Sequence, residues 1–332
     1  MKQRVTGADV AKAAGVSRAT VSYVLNDTAG QSISADTQRR VRAAAKRLGY
    51  VPSMAGRTLR RGHSDLVIWV LPDWPIGAEV GKLIESLTRE AGLRGFTLAV
   101  VQEGHGATPL ATTIRTLAPA AIIAMHEMPR SLTRIANDAG VPIATHWHGT
   151  ASTAQPALPH FARQSWHVGA AQVRHLVERG HTRLAYLFPD DPRLHPFAEH
   201  RLAGARDAAR ALGIPGLRRR TVALDRSRMG DVARSWHAVG ITGVASYNDE
   251  WAMALLSGMH LMGLDAPEDL AVIGCDNILT APVASPPLTT IDQDVAVSAV
   301  NIMNDVQRAL GQRPLAEDID HPLARVVVRV SA

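Results

Sequence analysis

The sequence predicts a small all-α part at the N-terminus followed by a two-lobed α/β domain with parallel sheets. Three observations support this prediction. Short helical patterns separated by tight turns fill the first 50 residues, apolar strands alternate with helices in two successive series from Leu66 onward, and 332 residues allow two or three domains. With 46% hydrophobic and 20% charged residues, the composition is typical of a folded globular protein rather than a disordered one.

Three helices are predicted in the N-terminal part. Thr6 is the expected N-cap of the first helix, which ends at a turn where Gly15 permits a positive φ. Ser17 is the expected cap of the second helix, whose i, i+3, i+4 apolar stripe begins at Val21. A third helix follows a cap at Ser34. Two helices joined by a short turn that contains glycine form a helix-turn-helix, whose second helix can enter the major groove of DNA.

The positive charge of the chain is concentrated in this N-terminal part. Residues 1–62 hold 12 Lys and Arg against 3 Asp and Glu, a local charge of +9, whereas the rest of the chain holds 24 against 27. A basic segment attached to a mildly acidic body indicates a part that neutralises phosphates and a body with a different task. A solvated basic face is the alternative interpretation.

From Leu66 onward, strands and helices alternate in two series. Strands are predicted at 66–71, 96–101, 120–124 and 142–145 in the first series, and at 184–188, 220–223, 243–247 and 270–274 in the second. The helices between them are predicted at 80–91, 130–139, 165–179, 200–212 and 251–262. This alternation predicts parallel sheets with helices on both faces, in which ligands bind beyond the carboxyl ends of the strands. A cleft between the two lobes is therefore the expected site for a small polar metabolite.

Several short motifs resemble the DNA-binding headpiece of the LacI/GalR (lac-repressor) family of bacterial transcription regulators. They are Val5-Thr6 with Asp9-Val10-Ala11, Ala14-Gly15-Val16-Ser17, Thr20-Val21-Ser22, Leu25-Asn26 and Leu48-Gly49-Tyr50-Val51-Pro52. Landmarks of the same family appear in the second lobe at 247–252, 272–276 and 287–293. The resemblance implies a headpiece (1–50), a hinge helix or linker (51–62) and a periplasmic-binding-protein-like effector-binding and dimerisation domain (63–332). Its first lobe would comprise about 63–160 and 292–320, and its second lobe about 161–291 and 321–332.

The resemblance also implies roles for headpiece residues. Arg18, Ala19 and Tyr23 occupy positions that read base edges, and arginine can indeed bond guanine with two hydrogen bonds. The residues expected to grip phosphates or sugars are Thr6, Ser17, Thr20, Ser22 and Asn26. For Ser17, capping alone and capping combined with a phosphate contact both remain open. Leu59, in the hinge, is the expected wedge into the minor groove.

In the large domain, Arg201, Asn248 and Asp276 match positions that hold the effector in many relatives. Alternatively, Arg201 forms a surface ion pair, Asn248 caps a helix and Asp276 stabilises its own turn. Asp249 is expected to cap the next helix.

The first lobe departs from the family pattern. It has aromatic residues at Trp74 and Trp147, which either stack on a ring of the effector or pack between the lobes. His146 is a candidate hydrogen-bond donor beside them.

Catalysis, a metal and a cofactor are not expected. The sequence contains neither a GxxxxGK[ST] phosphate loop nor a GxSxG elbow, and the pair His146 and His148 has no nearby cysteine and no HExxH helix. A pure solute-binding protein is the rival interpretation, which the basic N-terminal part and the missing signal peptide oppose.

A single cysteine, Cys275, excludes an internal disulfide, and no segment is apolar enough for a membrane helix. A cytoplasmic, nucleoid-associated protein is therefore expected.

The family resemblance implies a homodimeric, sequence-specific transcription regulator that acts as a repressor. Its expected partners are double-stranded operator DNA, a sugar-like or nucleoside-like effector that acts allosterically, and a second copy of the chain. Candidate dimer-interface helices are 80–91 and 251–261, although their apolar residues could equally belong to the core.

Overall fold

The structure is a computed structural model that describes residues 5–25, 32–50, 64–102, 109–124, 128–145, 160–319 and 324–332. The described residues form two compact units, which meet in sequence between Ser64 and Asp65. Each unit has its own apolar core.

The N-terminal unit consists of helices α1 (Gly7–Ala14), α2 (Arg18–Leu25) and α3 (Ala35–Leu48). Each begins where a side chain caps its backbone: the Thr6 amide donates to the Asp9 carboxylate at 2.8 Å, and Ser17 and Ser34 accept from backbone amides at 3.0 and 3.2 Å. The predicted helix-turn-helix is confirmed. Its core is made of small side chains, namely Val10, Ala11, Ala14, Val21, Val24, Val41, Ala44 and Ala45.

The first lobe of the large unit contains a four-stranded parallel sheet. Its strands are β1 (Leu66–Leu71), β2 (Thr97–Gln102), β3 (Ala121–Ala124) and β4 (Ile143–Thr145), in the order β2-β1-β3-β4. Helices α4 (Ala78–Leu93), α5 (Leu110–Leu117) and α6 (Arg130–Asp138) connect them. Alternate residues of β1 face opposite sides of the sheet, so Trp69 packs with α4 while Ile68 packs with α5.

The second lobe repeats this arrangement. Strands β5 (Leu184–Pro189), β6 (Leu217–Val222), β7 (Gly243–Ser246) and β8 (Ala271–Ile273) form a parallel sheet in the order β6-β5-β7-β8. Its helices are α7 (His160–Glu178), α8 (His195–Ala211), α9 (Arg226–Ala238) and α10 (Asp249–Leu261). The order reverses between β5 and β7, and a ligand crevice is expected where such a reversal brings two strand ends together.

The chain passes back to the first lobe after β9 (Thr290–Asp292). Helix α11 (Val295–Ala309) places Ile302 and Met303 in the core between the first-lobe sheet and α4. Strand β10 (Arg325–Val327) then pairs antiparallel with β9, and the C-terminal Ala332 lies in the core of the second lobe.

Two glycines allow helices α7 and α8 to approach backbone to backbone. A methyl group on Gly169 would lie 1.7 Å from the Arg201 carbonyl oxygen, and one on Gly204 would lie 1.8 Å from the Trp166 carbonyl oxygen. No side chain fits at such a distance. This contact fixes the position of α8, which carries Arg201.

The structure corrects several predicted boundaries and elements. Strand β6 begins at Leu217, three residues earlier than predicted. Helices α5, α9 and α11 were not predicted. In the part of the chain that the structure describes, no helix is long and apolar enough to cross a membrane.

Candidate functional site

The headpiece exposes one face of helix α2. Arg18, Ala19 and Tyr23 are all exposed, with 38% of Tyr23 accessible, whereas Val21 and Val24 point into the core. The three side chains expected to read bases therefore lie together on the free face of the second helix of the helix-turn-helix. An exposed tyrosine is available for a hydrogen bond and for apolar contact with a base.

The hydroxyl groups beside this face already take part in local hydrogen bonds. Thr6 Oγ1 donates to Asp9 Oδ2 at 2.7 Å, a bond that lowers the pKa of Asp9. Ser17 Oγ accepts from the Thr20 amide and lies 2.9 Å from Thr20 Oγ1, so Ser17 is a cap. Ser22 is half-buried on the same helix. Asn26 and Leu59 lie outside the described residues.

A cavity of about 280 Å³ lies between the two lobes of the large unit. The segment 75–80 of the first lobe forms one wall, and Phe197, Arg201, Asn248 and Asp276 belong to the opposite wall. The second-lobe wall is formed by segments that follow β5, β7 and β8, the edge at which parallel sheets bind ligands. Three sequence-predicted site residues, Arg201, Asn248 and Asp276, are thus brought together.

A buried ion pair dominates the second-lobe wall. Arg201 is only 3% exposed, donates to Asp276 Oδ1 at 3.1 Å and to the Tyr247 carbonyl at 2.6 Å, and lies 5.0 Å from the centre of the Tyr247 ring. Its Nε is buried without a hydrogen-bond partner. The alternative interpretation of Arg201 as a surface ion pair is therefore wrong, because its partner is a buried residue of the cavity wall.

The loop that carries Asp276 is held by contacts from several elements. Asp276 has φ +101°, a conformation that L-residues rarely adopt. Its Oδ1 also accepts from Gln293 Nε2 at 2.7 Å and from Cys275 Sγ at 3.1 Å. The Asp249 carboxylate accepts from the Ile278 amide at 2.9 Å and from Thr290 Oγ1 at 2.5 Å. The side chain of Asp276 is thus positioned before any ligand contact is considered.

The expected cap of α10 was assigned to the wrong residue. Asn248 Oδ1 accepts from the Trp251 amide at 3.1 Å, so Asn248 is the N-cap. Asp249 is the first residue of the helix and turns toward the loop after β8, where it braces Ile278 and Thr290. Burial raises the pKa of Asp249 to about 7.

On the first-lobe side, Trp74 packs between the lobes. It is 7% exposed, and its ring meets that of Phe197 from the second lobe edge to face, with centroids 4.5 Å apart. Both rings line a second, smaller cavity of about 70 Å³. Of the two alternatives for Trp74, stacking on the effector or packing between the lobes, the structure shows the packing. His146 and Trp147 lie outside the described residues.

Helix α4 brings two charged residues to the cavity that the sequence did not single out. Burial, followed by the carboxylate of Asp276, raises the pKa of Glu79 to about 8, and Glu79 Oε2 has no hydrogen-bond partner. Lys82 Nζ forms an ion pair with this Oε2 atom at 3.5 Å and donates across the lobes to the carbonyls of Asp276 (2.5 Å) and Asn277 (3.1 Å). The first lobe is thus connected directly to the loop that carries Asp276.

Other contributors were also missed. Gln293, which contacts Asp276, is the last residue of the family landmark 287–293. Its place in that landmark is the sequence feature that could have identified it. No sequence signal marked Glu79 or Lys82. Within the described ranges, no three His, Cys, Asp or Glu side chains are grouped so that they could hold a metal ion.

The fold defines a class: a helix-turn-helix unit attached to a two-lobed α/β domain with parallel sheets. The family model "Bacterial regulatory proteins, lacI family" matches residues 7–53, and the model "Periplasmic binding protein-like domain" matches residues 173–332. The chain belongs to the lacI family of bacterial regulatory proteins.

Relatives and solved structures agree with this assignment. The transcriptional regulator DegA of Bacillus subtilis is 28% identical over 299 residues, and the transcriptional repressor PurR of Vibrio vulnificus is 29% identical over 296 residues, with 86% of each chain covered in both cases. The structure of the lac repressor dimer bound to operator and the anti-inducer ONPF is 22% identical, covers 99% of both chains and gives a TM-score of 0.75. The chain is therefore a DNA-binding transcription regulator and not an enzyme.

Proposed function

We propose that the chain is a repressor that binds a pseudo-palindromic operator as a homodimer and is controlled by a small polar metabolite in the cleft between its lobes. One observation carries this proposal: the buried Arg201–Asp276 pair at the wall of the 280 Å³ cavity. A fork of N–H donors beside a carboxylate suits a ligand with hydroxyl groups or ring nitrogens. In the proposed division, the headpiece (1–50) binds DNA, the effector domain (63–332) binds the metabolite, and the linker (51–62) joins them.

The DNA-binding half rests on the exposed face of α2 and on the charge of residues 1–62. Arg18, Ala19 and Tyr23 would read base edges, while backbone amides and hydroxyls near Thr6 and Ser17 would contact phosphates. Thr20, Ser22, Asn26 and Leu59 complete the proposed set. Because the local charge is +9, affinity should fall steeply as salt increases.

Homodimer formation follows from operator geometry, since two headpieces read two half-sites that are related by a twofold axis. The predicted interface helices, 80–91 and 251–261, remain part of this proposal. In helix α10, Leu261 is 50% exposed, whereas Leu255 and Leu256 are core residues. Sedimentation equilibrium of the full chain is expected to give a dimer.

The proposed control is a shift in population. An effector that binds one arrangement of the two lobes more tightly than the other changes the spacing of the paired linkers and so changes operator affinity. Equal operator affinity with and without a bound effector would contradict this mechanism.

Selection of binding sites from a random duplex pool by the full chain tests the DNA-binding half. We expect a pseudo-palindromic consensus, and Arg18→Ala should weaken binding to it by about 1–3 kcal/mol and relax specificity at one base pair. Arg39→Ala is the matched control for charge, because Arg39 is an exposed residue of α3 paired with Asp36, and its loss should leave base specificity unchanged. A chain lacking residues 1–62 should not bind. Undiminished binding by that shortened chain would contradict the proposal.

A further inference from the structure

The smaller of the two cavities adjoins the larger one. Glu79, Val80, Phe197 and Arg201 line both, so a ligand in the larger cavity can extend a side group into the smaller one. Because a cavity needs about 10–15 Å³ to hold one water molecule, the smaller cavity of about 70 Å³ has room for several non-hydrogen atoms. The two cavities are therefore candidate space for one ligand with two parts.

Apolar and aromatic side chains from both lobes form much of the wall of the smaller cavity. They include Trp69, Trp74, Leu83, Phe197, Val295 and Ile302. The two glutamines of the wall already donate to protein acceptors: Gln164 Nε2 donates to the Gln293 carbonyl at 3.2 Å, and Gln293 Nε2 donates to Asp276 Oδ1 at 2.7 Å. A ligand group with many hydroxyls would leave some of them unpaired against such a wall, which costs free energy.

Two side chains of this wall carry a buried N–H group that has no acceptor among the described residues. Trp69 is 1% exposed, and its Nε1 has no hydrogen-bond partner. Arg201 is 3% exposed, and its Nε has no partner either, although both of its terminal nitrogens are bonded. Both groups can only donate. Because buried polar atoms are normally paired, these two atoms indicate a ligand that supplies acceptors.

The charges beside the smaller cavity are already compensated. Arg201 pairs with Asp276 at 3.1 Å, and Glu79 Oε2 pairs with Lys82 at 3.5 Å. An anionic acceptor would add an unpaired charge beside two carboxylates, and burying such a charge costs far more than burying a neutral carbonyl. An ammonium group has donors only. The acceptor that suits this site is therefore neutral.

We propose that the effector has an apolar arm bearing a carbonyl group, which enters the smaller cavity beside Phe197 and accepts hydrogen bonds from Trp69 Nε1 and Arg201 Nε. This inference rests on the proposed function, since it names the chemical class of effector for the cleft between the lobes. A carbonyl oxygen has two lone pairs and no donor, so it can accept from two N–H groups and adds no unpaired donor to the apolar wall. The polar remainder of the effector would lie in the larger cavity, beside Asn248 and Asp276.

The test uses probes that share a skeleton and differ in the polar group. The sets are acetophenone, ethylbenzene and benzoate; and cyclohexanone, methylenecyclohexane and cyclohexanecarboxylate. Ligand-detected NMR titration of the full chain is expected to show that the ketone of at least one set binds about fivefold or more tightly than both of its counterparts. Val295→Phe places a larger side chain in the wall of the smaller cavity alone, and it should weaken ketone binding about tenfold or more.

Trp69→Phe removes the N–H group but keeps an aromatic ring, so it should lower the ratio of ketone affinity to hydrocarbon affinity about fivefold. Trp236→Phe is the matched control, because Trp236 is also buried, at 3% exposed, but lines neither cavity. It should leave the ratio unchanged. Thermal unfolding without probes verifies that the variants fold, and Val295→Phe keeps the test decisive if Trp69→Phe does not.

The inference is overturned if no ketone binds, or if a hydrocarbon or a carboxylate binds as tightly as its ketone. It is also overturned if Trp69→Phe keeps the full preference for the ketone or Val295→Phe keeps the full affinity. DNA selection by the same protein separates the two proposals, since a chain that selects an operator but binds no ketone refutes only this inference.

Discussion

The two walls of the interlobe cavity are built differently. On the second-lobe side, Arg201 and Asp276 bond to each other, to the Tyr247 carbonyl and to Gln293, so their positions are fixed by the protein itself. On the first-lobe side, Lys82 lies 3.5 Å from Glu79 Oε2 and reaches across to backbone carbonyls of the opposite lobe. The second-lobe wall is therefore preorganised by its own side chains, whereas the first-lobe wall is connected to it through Lys82.

The largest effect is expected from a substitution that disrupts the second-lobe wall of the cavity. Asp276→Ala removes the carboxylate partner of a guanidinium that is 96% buried, which leaves an uncompensated charge in the protein interior. We expect a loss of about 3–5 kcal/mol in the free energy of unfolding, measured by urea denaturation. Arg210→Ala is the control, because Arg210 is 77% exposed and pairs with Asp207 at 2.9 Å, and an exposed pair contributes about 0–1 kcal/mol. Equal losses in the two variants would show that Arg201 does not depend on Asp276.

The same wall depends on the close contact between α7 and α8. Gly169→Ala places a methyl group 1.7 Å from the Arg201 carbonyl oxygen, so the two helices must separate. We expect a destabilisation of about 3 kcal/mol in urea denaturation. Gly92→Ala in α4 meets nothing within 4 Å and, as the control, should be neutral or stabilise by about 0.4–1 kcal/mol. A Gly169→Ala protein as stable as this control would contradict the close packing.

The contrast between the walls also explains what the sequence could predict. Motifs located Arg201 and Asp276, and capping chemistry located Thr6, Ser17 and Ser34, because both signals are local. Lys82 and Asp276 are 194 positions apart, and no pattern along the chain indicates that they meet. Asp249 was misassigned because its partners, Ile278 and Thr290, are likewise distant in sequence.

Helix α9 was missed for a related reason. Its buried face consists of Met229, Gly230, Ala233 and Trp236, so small residues occupy much of the stripe. A stripe of this kind gives a weak helical period, although the helix packs well against α10: a methyl group on Gly258 would lie 2.5 Å from the Gly230 amide nitrogen. Tertiary contact, rather than apolar periodicity, defines this element.

An intermediate effect is expected at Glu79, with a characteristic pH dependence. Its pKa is about 8 in the folded protein against 4.5 as the ordinary value, so folding favours the protonated form. The contribution of the Glu79 carboxyl to the free energy of unfolding is fully present below pH 4.5 and is lost as the pH rises to about 8. Glu79→Gln removes this dependence, and its stability should exceed that of the wild type by about 2 kcal/mol at pH 8 and match it near pH 4.

Thermal unfolding at a series of pH values measures this difference, with Glu85→Gln as the control on the same helix. Glu85 is exposed, so its replacement should not change the pH profile. If Glu79→Gln and the wild type have parallel profiles between pH 4 and 8, Glu79 is not buried beside Asp276 as described.

The smallest effect concerns the connection between the walls. Lys82→Met removes two charge-assisted hydrogen bonds to the carbonyls of Asp276 and Asn277, and because 38% of the Lys82 side chain is exposed we expect a loss of only about 1 kcal/mol. Hydrogen exchange is the more sensitive measurement: amides of residues 276–278 should exchange faster, since their loop loses its contact with the first lobe. Arg89→Met, which removes an exposed charge from the same helix, should leave that exchange unchanged. Unaltered exchange in Lys82→Met would mean that other contacts, including those of Asp249, Gln293 and Arg329, are enough to hold the loop, and that the two walls are independent.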